Sequence, residues 1–362
     1  MIIGSIPENI NTEKRVAITP DITKKYKSLG LGICITKNYG SHLGFSNDQY
    51  KNQGAEILDN SKDVINKSNL MLQFDLVKDE DANLLKQGQI LIGVLDPYKN
   101  SKRLKNLSEK KISCFSLELL PRITRAQSMD VLSSQANLAG YKAVVDSFAH
   151  FQKAIPMMMT AAGTISAAKI LVVGAGVAGL QAIATAKRMG AIVYATDVRL
   201  ASKEQVESLG GKFLTVESSE NLETESGYAK EATDHFKKKQ EELLKETLKK
   251  IDIVICTALI PGKMAPLIVN KNMIDVMQSG SIIYDLAASQ GGNSELTKVD
   301  EIVDSNGVKI FGEKNILNKL PVSASNLYAK NLYNFVSNLY NKEKKKITIN
   351  LEDEIVIKTL IK

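Results

Sequence analysis

The run Lys169–Asp197, KILVVGAGVAGLQAIATAKRMGAIVYATD, decides the fold. Ile170–Val173 reads as a short, fully apolar strand, the kind buried on both faces of a parallel sheet. Gly174, Gly176 and Gly179 follow it directly as G-x-G-x-x-G and open a helix that Gly190 ends. The first glycine permits the tight turn, the second lets a pyrophosphate approach the backbone, and the third lets helix and strand pack closely. The helix start, at Val177 and Ala178, then offers free N–H groups to the phosphates. A second strand, AIVYATD, ends in Asp197 at the spacing of about 20 residues expected for an acid that accepts hydrogen bonds from the adenosine ribose diol. That carboxylate repels a 2′-phosphate, so the sequence predicts NAD(H) rather than NADP(H). Arg199, two residues on past Val198, would favour the phosphate by itself, but the acid at the strand end outweighs it.

Further strand-like runs extend the pattern downstream: KFLTVE at Lys212, IDIVICTA at Ile251, SIIYDLA at Ser281 and VKIFG at Val308. Six candidates in βα order predict a doubly wound sheet of the dinucleotide-binding kind. The turns CTALIPGK (Cys256–Lys263, with Ala258 and Leu259) and DLAASQGG (Asp285–Gly292) supply the small residues needed where chain passes over a nicotinamide, although both also suit ordinary strand-to-helix turns. Between them, Glu217–Lys250 is too long for a compact βα unit. Its second half reads as a charged amphipathic helix. Ser218–Ala232 reads as a polar loop with one aromatic, Tyr228, and is either a mobile functional loop or a tolerated surface insertion.

Upstream, GICIT (Gly32–Thr36), NLMLQF (Asn69–Phe74), QILIGVL (Gln89–Leu95) and ISCFSLEL (Ile112–Leu119) alternate with helix-like segments such as Asp21–Leu29 and Asp79–Lys86. This is a second parallel sheet with crossover helices. A chain of 362 residues is longer than one core usually serves. The expected architecture is therefore α/β, with two Rossmann-like domains. One comprises residues 1–134 plus 321–362, and the other, binding NAD(H), residues 135–320 with a mobile loop near 218–232. Helix-like Ser128–Phe151 and the stretch ASNLYAKNLYNFVSNLY after Pro321 would be two long helices linking them beside an inter-domain cleft.

Composition narrows the function classes. The net charge of +7 comes mostly from dispersed lysine, as in KEKKK at Lys342–Lys346, without interleaved aromatics, which argues against nucleic-acid binding. Cys34, Cys114 and Cys256 are far apart in apolar runs and read as buried thiols, and His42, His150 and His235 are equally scattered, so no metal site is expected. MIIGSIPENINTEKR turns polar within a few residues and does not read as a signal peptide. The apolar run Ala154–Ala186 is split by Lys169 into stretches too short to span a bilayer, so no transmembrane segment is expected.

One further stretch, RITRAQSMDVLSSQ (Arg122–Gln135), places many hydrogen-bonding side chains before a half-apolar helical pattern. Gln127, Asp130 and Ser133 are spaced by three, so on a helix they fall on one polar face. That face is either a site or an N-terminal cap followed by a solvated surface. Together with RVAITP at Arg15, PRITRAQSMDVLSSQANLAGYKAV from Pro121, the glycine fingerprint, SGYAKE at Ser226 and DLAASQGGNSE at Asp285, it gives the chain an end-to-end resemblance to the alanine dehydrogenase and transhydrogenase family. Within that family it most resembles the NAD(H)-binding subunits (domain I) of proton-translocating nicotinamide nucleotide transhydrogenases. The resemblance implies that Arg122, Asp130 and Ser133 hold the nicotinamide carboxamide and neighbouring groups, that Gln127 reaches the ribose, and that Tyr228 folds over bound nucleotide. It also implies a homodimer, a partner domain carrying NADP(H), a membrane subunit that moves protons, and a cytoplasmic location on the inner face of a bacterial plasma membrane.

Two other readings stand beside this one. Alanine dehydrogenases reduce pyruvate and ammonia and use a histidine and a lysine after two strands of the first domain. Here those positions hold Asp96 and Asp75, and the family's second-domain aspartate appears as Ser289, although Arg15 persists. Hydride exchange between two nicotinamides needs no general acid or base, only orientation and exclusion of water. The third reading is an NAD-binding module that has lost turnover.

Overall fold

The structure, a computed structural model, describes residues 1–216, 234–260 and 262–361. Its chain divides into two compact units, Met1–Gln135 with Leu320–Lys362, and Ala136–Lys319. The helix Val131–His150 carries the chain from the first to the second, and the helix Pro321–Leu339 begins just after the return.

The first unit is built on a six-stranded parallel sheet of β1 (Ile2–Ser5), β2 (Gly32–Thr36), β3 (Ala55–Leu58), β4 (Leu70–Leu72), β5 (Ile90–Gly93) and β6 (Ser113–Ser116), in the order β3-β2-β1-β4-β5-β6. The strand order reverses between β1 and β4, where a doubly wound sheet offers a crevice at its strand ends. β4 and β5 are buried along their whole length, as strands covered on both faces must be. One face packs against the helix Pro321–Leu339, which buries Ala324, Tyr328, Leu332, Phe335 and Leu339 at steps of three or four. The Tyr328 hydroxyl donates to the Gln73 carbonyl at 2.6 Å, just past the end of β4.

The second unit begins with an exposed hairpin of β7 (Met158–Thr160) and β8 (Gly163–Ile165). It is dominated by a seven-stranded sheet of β9 (Lys169–Val173), β10 (Ile192–Thr196), β11 (Lys212–Phe213), β12 (Ile253–Cys256), β13 (Ile282–Asp285), β14 (Ile302–Ser305) and β15 (Val308–Phe311). The order is β11-β10-β9-β12-β13-β15-β14, and all pairs are parallel except β14 with β15. The α/β class with two Rossmann-like sheets follows the sequence reading.

Several elements differ from that reading. β1 and β3 were not expected, and β1 is central: IIGS is too short, and too soon followed by polar residues, to stand out. KFLTVE pairs only at Lys212–Phe213. β14 was also missed, although Asn306-Gly307, both at positive φ, is the two-residue signal of a hairpin turn. Asp79–Lys86 yields a single helical turn, Asp79–Ala82.

Candidate functional site

In the second unit the three glycines of the fingerprint have separable reasons. Gly174 follows β9 at φ +95°, and a Cβ there would lie 2.8 Å from Thr257 Oγ1. A Cβ on Gly179 would lie 1.8 Å from the Gly174 carbonyl oxygen, so close packing of helix on turn forbids it. Gly176, by contrast, has an ordinary φ of −77°, and a Cβ there would meet nothing within 4 Å. Packing demands glycine at 174 and 179 but not at 176. The space left open at 176 lies before the N-terminus of the helix Val177–Arg188, where the N-cap residue offers no side-chain hydrogen bond, and it fits a pyrophosphate received by first-turn N–H groups. Gly190, at φ +86°, follows the last turn of that helix as expected.

Asp197 comes directly after β10 and its side chain is 6% exposed. Its Oδ2 accepts the Ala175 N–H at 2.7 Å and Arg199 Nη2 at 2.7 Å, while Oδ1 accepts the Arg199 backbone N–H at 2.8 Å and Nε at 2.9 Å. The acid therefore pins the glycine turn and holds Arg199 as a fork. Arg199 does not compete with Asp197 but is paired to it, and a ribose diol reaching the carboxylate would have to displace part of that fork. Val198, between them, is half-buried.

The turns after β12 and β13 are joined by buried polar groups. Thr257 Oγ1 donates toward the Val173 and Gly174 carbonyls (3.1 and 2.9 Å). Asn293 is fully buried. Its Oδ1 accepts the Ala258 N–H at 3.0 Å, and its Nδ2 donates to the Ala258 and Pro266 carbonyls, both at 2.9 Å. Asp285, also fully buried, accepts the N–H groups of Ala287, Asn293 and Ser294 and the Thr297 hydroxyl, which compensates the burial of its carboxylate. Ala258 is thus held by a chain of contacts beginning at the end of β13, while Leu259 beside it is exposed. Burial, with Asp285 near by, pushes the Cys256 thiol well above its ordinary value. Burial likewise raises Cys114 to about 12 and Cys34 above its usual range, and all three thiols are free.

In the first unit, RITRAQSMD does not form one helix face. Thr124–Met129 is a 3-10 segment, Asp130 is extended at φ −70°, ψ 95°, and the α-helix starts at Val131. Gln127 therefore shares no helix with Asp130 and Ser133. Asp130 caps the helix, with its Oδ1 accepting the Ser133 N–H at 2.9 Å, and it also accepts the Ser133 hydroxyl at 2.5 Å. Alpha-helical spacing does not describe the segment because Ala126 and Met129 insert into the core of the first unit, and spacing by three suits the tighter 3-10 winding. Arg122 and Gln127 are exposed, and among the described residues none hydrogen-bonds the Gln127 side chain. Tyr228 lies outside the described residues.

Comparison with known proteins agrees with this geometry. Residues 5–139 match the family model described as "Alanine dehydrogenase/PNT, N-terminal domain", and residues 143–362 match "Alanine dehydrogenase/PNT, C-terminal domain". The chain belongs to the alanine dehydrogenase/PNT family. It is 46% identical over 365 residues to the first of the polypeptides that make up the NAD(P) transhydrogenase subunit alpha of Rickettsia prowazekii, covering 100% of this chain and 94% of that protein. The crystal structure of transhydrogenase from Sinorhizobium meliloti superposes with a TM-score of 0.90 at 42% identity, over 99% of this chain and 98% of that one. An L-alanine dehydrogenase structure superposes at 0.82 with 20% identity, over 99% of this chain and 94% of that one, and shares the fold.

Within the alanine dehydrogenase/PNT fold, the strand ends of the first unit carry acids. Glu8, past β1, accepts the Phe74 N–H at 2.7 Å and Gln73 Nε2 at 3.1 Å. Burial, with the charge of Asp75 adding to it, raises its pKa from 4.5 to about 8. Glu118, past β6, is raised by burial and by Asp96, although the Ser116 hydroxyl donates to it. Asp96, past β5, sits at φ +46° with its N–H on Glu118. Arg15 is buried over the Phe74 ring, 3.5 Å from its centroid, and is paired with Glu13 through Nε (2.7 Å) and Nη2 (2.6 Å) and with Gln135 through Nη1 (2.9 Å). These strand ends form a negative pocket, and the guanidinium buried beside it is matched by its own carboxylate.

Sequence reasoning missed Asn293, Thr257 and Gly140. A Cβ on Gly140 would lie 2.0 Å from the Ala178 carbonyl oxygen, so the helix Val131–His150 presses on the first turn of the fingerprint helix. It also missed Asn331, Asn334 and Asn338, whose three- and four-residue spacing was a readable signal. Among the described residues no group of three or more His, Cys, Asp or Glu could hold a metal ion, and no helix is long and apolar enough to cross a membrane.

Proposed function

We propose that this chain is the NAD(H)-binding subunit of a proton-translocating, Re/Si-specific NAD(P) transhydrogenase, and that it passes hydride from NADH to NADP⁺ held on a partner domain. The glycine turn and the first amides of the helix Val177–Arg188 receive the pyrophosphate, and Asp197 addresses the adenosine ribose. Ala258 and Leu259 line the cofactor's path. Arg122, the coupled pair Asp130–Ser133 and the unbonded amide of Gln127 orient the nicotinamide end, with Tyr228 covering it. When bound, the cofactor supplies the hydride. No proton is taken up or released in exchanging it between two nicotinamides, so the chain's own residues need only orient the ring and exclude water. Proton movement belongs to a membrane subunit, and the chain acts as a homodimer on the inner face of the plasma membrane.

The observation that carries this reading over amination of a keto acid is the acid cluster Glu8, Asp75, Asp96 and Glu118. A pocket in which a resident carboxylate struggles to ionise repels a substrate carboxylate. It also lacks the histidine and lysine which that chemistry would use. The end-to-end identity with a transhydrogenase alpha subunit supports the same conclusion.

The test is NADH oxidation by the purified chain, with NADP⁺ on a transhydrogenase NADP-binding domain or pyruvate plus ammonium as acceptor. Rapid turnover is expected with the first and none with the second, and the opposite pattern would overturn the assignment. Gln127→Ala should slow hydride transfer by about tenfold or more while changing NADH affinity less than threefold. Unchanged transfer would point instead to a binding module without a catalytic role for this segment.

A further inference from the structure

The helix Pro321–Leu339 presents asparagines at 331, 334 and 338, a spacing of three and four that sets them on one face. All three reach the segment that carries Gln127 and Asp130. Asn331 Nδ2 and Asn334 Nδ2 both donate to the Ser128 carbonyl at 2.9 Å, filling both lone pairs of a backbone group that lies between those two residues in sequence. Asn331 Oδ1 accepts the Ser134 hydroxyl at 2.7 Å, in the first turn of the helix that Asp130 caps. Asn338 Oδ1 accepts Arg125 Nη1 at 3.0 Å, and Asp353 grips the same guanidinium at 2.9 Å through Nη1 and 2.5 Å through Nη2. Asn338 Nδ2 in turn donates to Asp353 at 3.0 Å, and Arg125 holds the Asp353 carboxyl well below the usual carboxylate range.

Burial of Ala126 and Met129 already fastens this segment to the core. An apolar anchor fixes where a short 3-10 stretch lies, but not how its peptide planes are turned. Directional bonds to one carbonyl, one hydroxyl and one guanidinium fix that as well. We infer that Asn331, Asn334 and Asn338, with Asp353, are positioning residues that set the orientation of the Gln127–Asp130 backbone, and that hydride transfer depends on them more than NADH binding does. The inference rests on the transhydrogenase reading. A site that works by near-attack orientation loses about a hundredfold for an error of ~1 Å, whereas binding of a large dinucleotide tolerates it.

The test uses the isosteric changes Asn331→Asp and Asn334→Asp, singly and together, in the full chain. Each removes a donor and turns an acceptor against the Ser128 carbonyl, while Asp at 331 still accepts from Ser134. Three quantities are measured: single-turnover hydride transfer to NADP⁺ on the partner domain, NADH affinity by fluorescence enhancement, and amide hydrogen exchange over 125–134. The double variant should transfer hydride at least about tenfold more slowly, hold NADH within about twofold of wild type, and exchange faster in that segment alone. Should the double variant fail to fold, Asn334→Asp, at a half-exposed position, should still slow transfer about threefold with affinity unchanged. Wild-type transfer rates in a folded variant would overturn the inference while leaving the transhydrogenase reading intact, as would equal losses of transfer and affinity or unaltered exchange. A wild-type chain that transfers no hydride to NADP⁺ would overturn both.

Discussion

Replacing Gly176 by alanine separates what the glycine turn does for the protein from what it does for a ligand. The added Cβ meets nothing within 4 Å, and φ −77° is ordinary for alanine. Alanine is a slightly poorer helix cap than glycine, by a few tenths of a kcal/mol, while the loss of unfolded-chain freedom returns about 0.4–1 kcal/mol. The net change should be within about 0.5 kcal/mol, or roughly 2 °C in the melting temperature of the free protein. The same methyl occupies the space proposed for the pyrophosphate, where overpacking costs about 1–3 kcal/mol, so NADH affinity should fall about tenfold or more. Gly179→Ala is the counterpart. Its Cβ would sit 1.8 Å from the Gly174 oxygen, against the 3.4 Å of ordinary contact, and both sides of the clash are backbone. That variant should lose at least about 2 kcal/mol and melt at least about 4 °C lower. Thermal scans with and without NADH, plus a fluorescence titration, measure both. A Gly176→Ala protein that binds NADH as tightly as wild type would refute the assignment of that space to the cofactor.

Glu8 should make stability fall as pH rises. Its proton is kept in the folded state up to about pH 8 but released near pH 4.5 when unfolded, so the unfolded chain binds fewer protons throughout that window. At ~1.4 kcal/mol per pH unit the loss is at most about 4–5 kcal/mol. Glu8→Gln should flatten urea-midpoint curves between pH 5 and 8, and an undiminished slope would show that another group is responsible. Asn293→Ala leaves the Ala258 N–H and the Ala258 and Pro266 carbonyls without their partner, and should cost about 2–4 kcal/mol by urea unfolding. A loss below about 1 kcal/mol would mean that the loop re-pairs elsewhere. Asp197→Ala frees the Arg199 fork and removes a charge opposed to a 2′-phosphate, so the ratio of NADPH to NADH affinity should rise about tenfold or more. An unchanged ratio in competitive titrations would sink that role for the carboxylate.

The glycine turn was legible because everything that defines it lies within one strand, one turn and one helix start, each with its own local signal. The Asp130–Ser133 pair was half legible. The residues were visible and a cap was one of two readings, but a spacing of three fits a 3-10 turn as well as an α-helical face, and burial of Ala126 and Met129 chooses between them. Asn293 could not be found in the same way, because it is 35 residues from Ala258 and acts only once the turns after β12 and β13 are side by side. Asn331 is 203 residues from Ser128, and its meaning depends on the return of the last long helix to the first unit. β1 was lost for a related reason. Four residues carry little periodic signal, and their status as the middle of a sheet comes from the neighbours that pair with them.

Fold alone would not have separated amination of a keto acid from hydride exchange between nucleotides, since an alanine dehydrogenase shares the architecture at low identity. The separation comes from side chains at the carboxyl ends of the first unit's strands. That crevice, at the reversal of strand order between β1 and β4, is where a doubly wound sheet ordinarily seats a small ligand. Here Glu8 fills the Phe74 N–H that a ligand anion would use, and Asp75 and Asp96 add charge of the same sign. Arg15, the buried cation placed to oppose them, is already matched by Glu13. A small carboxylate would therefore bring a further negative charge to a place where resident acids are held toward their neutral forms. A dinucleotide anchored at the glycine turn of the second unit asks nothing of that crevice, and hydride exchange has no proton for it to handle. The acids that make the strand ends unsuitable for amino-acid chemistry cost the proposed reaction nothing.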